Sequence, residues 1–258
     1  MNNFLGAGRN TAIGFQSQTA TSSGYSNTSV GNQTMLVNTT GFLNTATGDS
    51  SLSANTTGSA NTAIGANTLQ SNISGINNVA VGNQSLKKST GSSNIAVGNN
   101  ALANNLTAGE MVAIGDSALH KWNGTIADNI AIGSKALLNS NAGNNNIGIG
   151  NRTLYSILAG DRNVALGTDA LYNLSGNDNT AIGDSALKEI RIAHRNTAVG
   201  SKALQNTGGD DNVGIGFKAV SYFGGTGNVA IGAHTLHDAS GDFNVAAGDS
   251  SLYYQAPY

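Results

Sequence analysis

The chain has 258 residues, a formal net charge of -2 and only 10% charged residues, against roughly 25% in ordinary globular proteins. That balance gives no electrostatic basis for binding nucleic acid or an anionic membrane, and no apolar run is long enough to insert across a bilayer. With no cysteine there is neither a disulfide framework nor a thiolate metal site.

In chain order, Met1-Asn2-Asn3-Phe4-Leu5-Gly6 has no basic start and no apolar stretch of signal-peptide length, so classical secretion is not expected from it. Residues 1–60 hold three loose copies of one pattern, beginning with Asn10-Thr11-Ala12-Ile13-Gly14, and read as atypical N-terminal coils or a cap of a solenoid. Residues 61–252 repeat the pattern more regularly, starting at Asn61-Thr62-Ala63-Ile64-Gly65 and reaching Leu69, and residues 253–258 read as a C-terminal tail or cap. The repeat leaves no room for a separate core, so one domain is expected overall.

Registered on the closing glycine, from Gly14 to Gly248, there are fifteen copies separated by sixteen to eighteen residues. A period this short corresponds to one coil of a solenoid and is too short for a helix pair. Asn opens fourteen copies, Met111 being the exception; the second position is always Thr, Val or Ile, and the third is Ala, Ser or Gly. Alternation carried by β-branched residues predicts a short strand with two unlike faces. Leu stands four residues after the glycine in twelve copies and predicts a second short strand, followed by a polar turn such as Asn55-Thr56-Thr57-Gly58. The fold class is therefore all-β, a parallel β-solenoid of about fifteen coils.

Stacking aligns like residues in columns. The bulky second and fourth positions and the Leu are expected inside, giving a structural ladder that includes Asn61, Ile64, Gly65 and Leu69, and again Asn129, Ile132, Gly133 and Leu137. The Asn column is expected at a corner, where its amides pair from coil to coil or the residue tolerates a left-handed backbone. The small third position then forms a bare face along which three chains pack, so a homotrimer is expected.

The Asn-Thr-Ala-Ile-Gly repeats with their following Ala/Thr/Ser-Leu resemble those in the heads of trimeric autotransporter adhesins, and still more those of phage and bacterial tail-fibre-like proteins with Thr-Thr-Gly turns. The resemblance implies a left-handed β-roll, trimeric, in a surface or virion fibre. Two departures stand out: adhesin heads have shorter repeats, and neither their export signal nor their membrane anchor is found here. The expectation is thus a non-enzymatic trimeric fibre or attachment protein of a viral, phage or injection-type particle, located on that particle, with other fibre or baseplate proteins at the rod ends. A bacterial cell-surface adhesin head is the alternative, and an ice- or glycan-binding surface protein a third.

A uniform rod offers few clefts for catalysis, and no catalytic residue, cofactor or metal is assigned. His234 and His237 read as a solvated pair, and the scattered Gly-Asp-Ser aspartates Asp49, Asp116, Asp184 and Asp249 as exposed turn residues. Recognition of a host-surface glycan or protein is expected at irregular turns. The candidates are His120, Lys121 and Trp122 in the longest copy; Arg191, His194 and Arg195 in a charged run; and Tyr222 with Phe223. The alternative for Trp122 is packing on a neighbouring chain, and for the basic run a solvated face or an inter-chain salt-bridge layer.

Overall fold

The computed structural model describes residues 8–124, 128–141, 143–157, 159–189, 192–206, 208–221, 225–237 and 241–253. It contains two compact units, Met1–Asn129 and Ile130–Tyr258. In the first, β1 (Thr11–Ile13), β2 (Thr28–Val30), β3 (Thr45–Thr47), β4 (Thr62–Ile64), β5 (Val79–Val81), β6 (Ile95–Val97) and β7 (Val112–Ile114) stack in chain order. In the second, β8 (Ile130–Ile132), β9 (Ile147–Ile149), β11 (Val164–Leu166), β13 (Thr180–Ile182), β14 (Thr197–Val199), β15 (Val213–Ile215), β16 (Val229–Ile231) and β17 (Val245–Ala247) do the same. There β10 (Ser156–Ile157) and β12 (Asn173–Leu174) form a separate parallel pair.

Every pairing is parallel and joins like positions, as in Thr28 with Thr45, Thr45 with Thr62 and Thr62 with Val79. Each unit is thus a parallel β-solenoid, and no helix occurs among the described residues. The looser N-terminal copies keep the register of the later ones: β3 pairs with β4 as β4 pairs with β5.

The faces of the strands are the reverse of those expected from residue size. The small third position is the interior one: Ala46, Ala63, Ala80, Ala96 and Ala113 are fully buried, while Ile64, assigned to the ladder, is 43% exposed and Ile132 only half-buried. Leu is what demands this. Leu69, Leu86, Leu119, Leu137 and Leu154 are all 0% exposed, and they fill the cross-section that the third position shares. At Gly148 even an added Cβ would stand 2.6 Å from Leu137 Cδ1, so the opposing residue is held to Ala or Gly, with Ser29 the one larger side chain at that position among the strands. The β-branched side chains are left to point outward.

Nor does the Leu segment form a second strand. In the coil that follows β4, Asn67 has φ 55° and Leu69 φ 48°, while Ala66 and Thr68 keep negative φ. This alternation reverses successive peptide groups, so that Asn67 N–H donates to Asp49 O of the preceding coil at 2.8 Å and Leu69 N–H to Ser85 O of the next at 3.0 Å. A left-handed backbone costs an L residue roughly 1–2 kcal/mol. Burial of a whole Leu side chain, worth about 1.5–3 kcal/mol, offsets it.

The Asn column stands where it was expected and works through its side chains. The left-handed residue of that corner is the one before it, Ala60 at φ 56° or Asn77 at φ 58°. Asn61 Nδ2 donates to Gly75 O at 2.8 Å and to Asn44 Oδ1 at 3.1 Å, and Asn61 Oδ1 accepts the backbone N–H and the amide of Asn78, each at 3.0 Å. Glycine serves the polar turns in two ways: Gly143 and Gly241 adopt positive φ, 104° and 118°, whereas Gly58 meets a steric limit. Gly58 has no positive φ; it is glycine because a Cβ would collide with Asn55 Oδ1 and with Gly75 O.

Candidate interaction surfaces

Because the third position is inside, each unit presents its second and fourth positions on the outer face of its sheet. In the first unit these are Thr, Val and Ile without exception, and in the second unit Leu166 and Ala247 are the only other types. Ile64, Val79, Ile95 and Ile114 on the first unit and Ile149, Leu166, Ile182, Ile215 and Ile231 on the second all expose more than a third of their surface. Parallel sheets are ordinarily covered on both faces. Here Leu covers one face and nothing in the chain covers the other among the described residues.

The residues expected to recognise a ligand fare unevenly. Lys121 is exposed, and His120 is half-buried with Nδ1 3.2 Å from Asn100 O. Trp122 is a correction: it is 1% exposed. Its backbone N–H donates to Leu119 O just as those of Asn55, Asn72 and Asn105 donate to Leu52, Leu69 and Leu102. Trp122 therefore takes the corner place of an Asn column in the last coil of its unit. It is a core residue, not a surface anchor, and its indole N–H is buried without a partner among the described residues. Arg191, Tyr222 and Phe223 lie outside the described residues.

His194 and Arg195 are tied into coil-to-coil contacts. His194 Nδ1 accepts the Asn177 N–H at 3.1 Å, a role that Asp161, Asn177 and Asp210 play for the coils preceding theirs. Arg195 holds Asp211 through Nε at 2.6 Å and through a second nitrogen at 2.8 Å. Arg162 holds Asp178 in the same bidentate way at 2.6 and 2.9 Å. His194 and Arg195 are therefore paired within the chain. These partners were legible in the sequence: Arg162, Asp178, Arg195 and Asp211 are spaced at the repeat period, but registering the chain on glycine hid a column of charges.

The guanidinium hydrogen bonds of Arg162 and Arg195 hold Asp178 and Asp211 below the usual aspartate range. A depressed carboxyl contributes stability above its unfolded value and loses it as pH falls through the folded one. Carboxyl NMR titration should find both aspartates ionising below the ordinary range, and Arg162→Lys should return Asp178 towards it. An unmoved Asp178 in that variant would mean that the bidentate pair does not govern its ionisation.

His234 and His237 are not a solvated pair. Their ring centroids are 5.6 Å apart, His237 stacks on Tyr253 at 4.9 Å, and the Phe217 ring meets His234 edge-on at 5.2 Å. The Gly-Asp-Ser aspartates do lie at the surface, with Asp49 Oδ1 accepting from Asn32 Nδ2 at 2.6 Å. No group of three His, Cys, Asp or Glu side chains suited to a metal occurs among the described residues, and no helix there is long and apolar enough to cross a membrane. Comparison of the chain with family profiles, with curated proteins and with solved structures finds no match.

Proposed function

We propose that the chain is a non-enzymatic structural and attachment module that assembles as a homotrimer, a left-handed β-roll in a fibre of a viral, phage or injection-type particle. The observation that supports this reading is the uncovered β-branched sheet face. A parallel sheet with an uncharged apolar outer face needs a cover, and a second and third copy of the same face supply one with matching coil spacing. The small-residue column expected to carry the trimer contact is interior, so assembly falls to the opposite side of the strand. Fibre or baseplate proteins would join the ends of the coil stacks, and a bacterial surface adhesin would use the same geometry on a cell.

Sedimentation or light scattering should give about three times the 26.0 kDa chain mass. Ile149→Asp combined with Leu166→Asp places two charges on neighbouring strands of that face and should yield monomers that keep the β-rich circular dichroism of the parent. A parent that is monomeric at micromolar concentration, or a double variant that still forms trimers, would overturn the assembly. Immuno-electron microscopy separates the settings: label on particles is expected, and label confined to the cell surface would favour the adhesin.

A further inference from the structure

From the way cations are distributed over the coil columns, we infer that the second unit carries a binding stripe for a linear anionic polysaccharide. The column two residues after each closing glycine has left-handed backbone throughout, and members such as Asn67, Arg152, Lys202 and Lys218 donate their N–H to the preceding coil. In the first unit this column is uncharged: Gln16, Gln33, Ser50, Asn67, Gln84, Asn100 and Ser117. In the second unit the same column reads Lys135, Arg152, Asp169, Ser185, Lys202, Lys218, His234 and Ser250.

The lysines of this column differ from Arg152, Arg162 and Arg195 in what neutralises them. Arg162 and Arg195 are matched by aspartates of their own column, and Arg152 shares Asp169 with Lys188. Lys135, Lys202 and Lys218 have no ion pair among the described residues. Asp184, exposed in the adjoining column, forms none with Lys202, and Lys218 Nζ instead sits 5.3 Å over the Phe217 ring. Lys202 and Lys218 are one coil apart, about 4.8 Å along the stack. Beyond the paired Arg152 and Asp169, two compact ammonium groups without ion pairs, set one coil apart by a fixed backbone pitch and followed by His234, match successive carboxylates or sulfates of an extended chain.

The aromatic rings beside the stripe favour a sugar polymer over a nucleic acid. Single-stranded nucleic acid binds by stacking bases on free ring faces. Here Tyr155 and Tyr172 spend a face each on one another at 4.8 Å, Arg152 and Lys188 stand 5.8 Å from the Tyr172 ring centre, and Lys218 stands over Phe217, which leaves fewer faces for bases. The stripe gives a ligand class to the attachment role and rests on that role for its use in the particle.

The test uses the intact chain. Its binding to dextran sulfate and polygalacturonate is measured against uncharged dextran and an oligothymidylate, from low to high salt. Lys202→Gln with Lys218→Gln removes two charges at a position where Gln16, Gln33 and Gln84 already occupy the same backbone conformation, so the coil is preserved. Lys87→Gln with Lys88→Gln, in the first unit, makes the same charge change off the stripe. Salt-sensitive binding to both polyanions is expected, with affinity falling about tenfold or more in the stripe variant and little in the control. The trimer-face variant Ile149→Asp/Leu166→Asp should retain affinity per site, which separates loss of assembly from loss of ligand contact. No binding to either polyanion, equal losses in the two lysine pairs, or tighter binding to the oligothymidylate would overturn the proposal.

Discussion

Gly65→Ala should destabilise the chain by about 3–5 kcal/mol, a large part of the stability of a typical domain. Gly65 closes β4 at φ 134°, a region that L residues avoid. Space forbids the change as well: a Cβ there would stand 2.6 Å from Gly82 O and 2.9 Å from Thr68 Oγ1. The neighbouring backbone has little freedom to yield, because Gly82 O is held by Thr68 Oγ1 at 2.8 Å and Gly82 N–H donates to Ile64 O at 2.7 Å. Asn67→Gly, two residues on and also left-handed at φ 55°, relieves a strained position and should change stability little. Urea denaturation of both variants decides the matter. Equal midpoints would mean that the glycine corner is replaceable and that the period of glycines has another cause.

The period, the strand at each Thr, Val or Ile and the parallel register were legible because they follow from repetition alone. The faces were not. Size and polarity suggested that Ile64 and Ile132 belong inside and Ala63 outside, and in an ordinary sheet packed on another layer they would. In a coil this narrow Leu69 fills the interior by itself, so the strand's contribution must be small and volume overrides hydrophobicity. The left-handed Leu was equally hidden. Propensity assigns Leu neither to turns nor to positive φ, and only the need for alternating peptide directions, up to Asp49 and down to Ser85, produces it. Trp122 misled for a related reason: a lone Trp in an irregular turn suggests an anchor. Its register with Asn72 and Asn105, three residues after Leu, was the signal that it turns a corner in the core.

That an interior column is polar leads to the second large effect, at Asn61. Its side chain is fully buried, and its bonds run to the coils before and after its own, donated to Asn44 and Gly75 and accepted from Asn78. Asn61→Ala would orphan the Asn78 N–H and remove one of the two donors to the Gly75 carbonyl, which keeps Asn72 Nδ2 at 3.1 Å. An orphaned buried group costs about 1–3 kcal/mol and each further bond lost about 0.5–1.5 kcal/mol, so the loss should come to about 2–5 kcal/mol. Asn61→Asp keeps the shape and the acceptor but sets an oxygen where Nδ2 faces Gly75 O and Asn44 Oδ1. Only the protonated acid can donate there, so the folded state raises the pKa of this carboxyl above its unfolded value of about 3.9. The sign follows from that shift. The interaction is fully present below the unfolded value and is lost as pH rises through the folded one, so the variant should resist denaturant better near pH 4 than near pH 7, relative to the parent chain at each pH. Paired denaturation curves at the two pH values test this. A stability difference from the parent that does not change with pH would show that the second oxygen has found another donor, and that the column is held by its Oδ1 contacts alone.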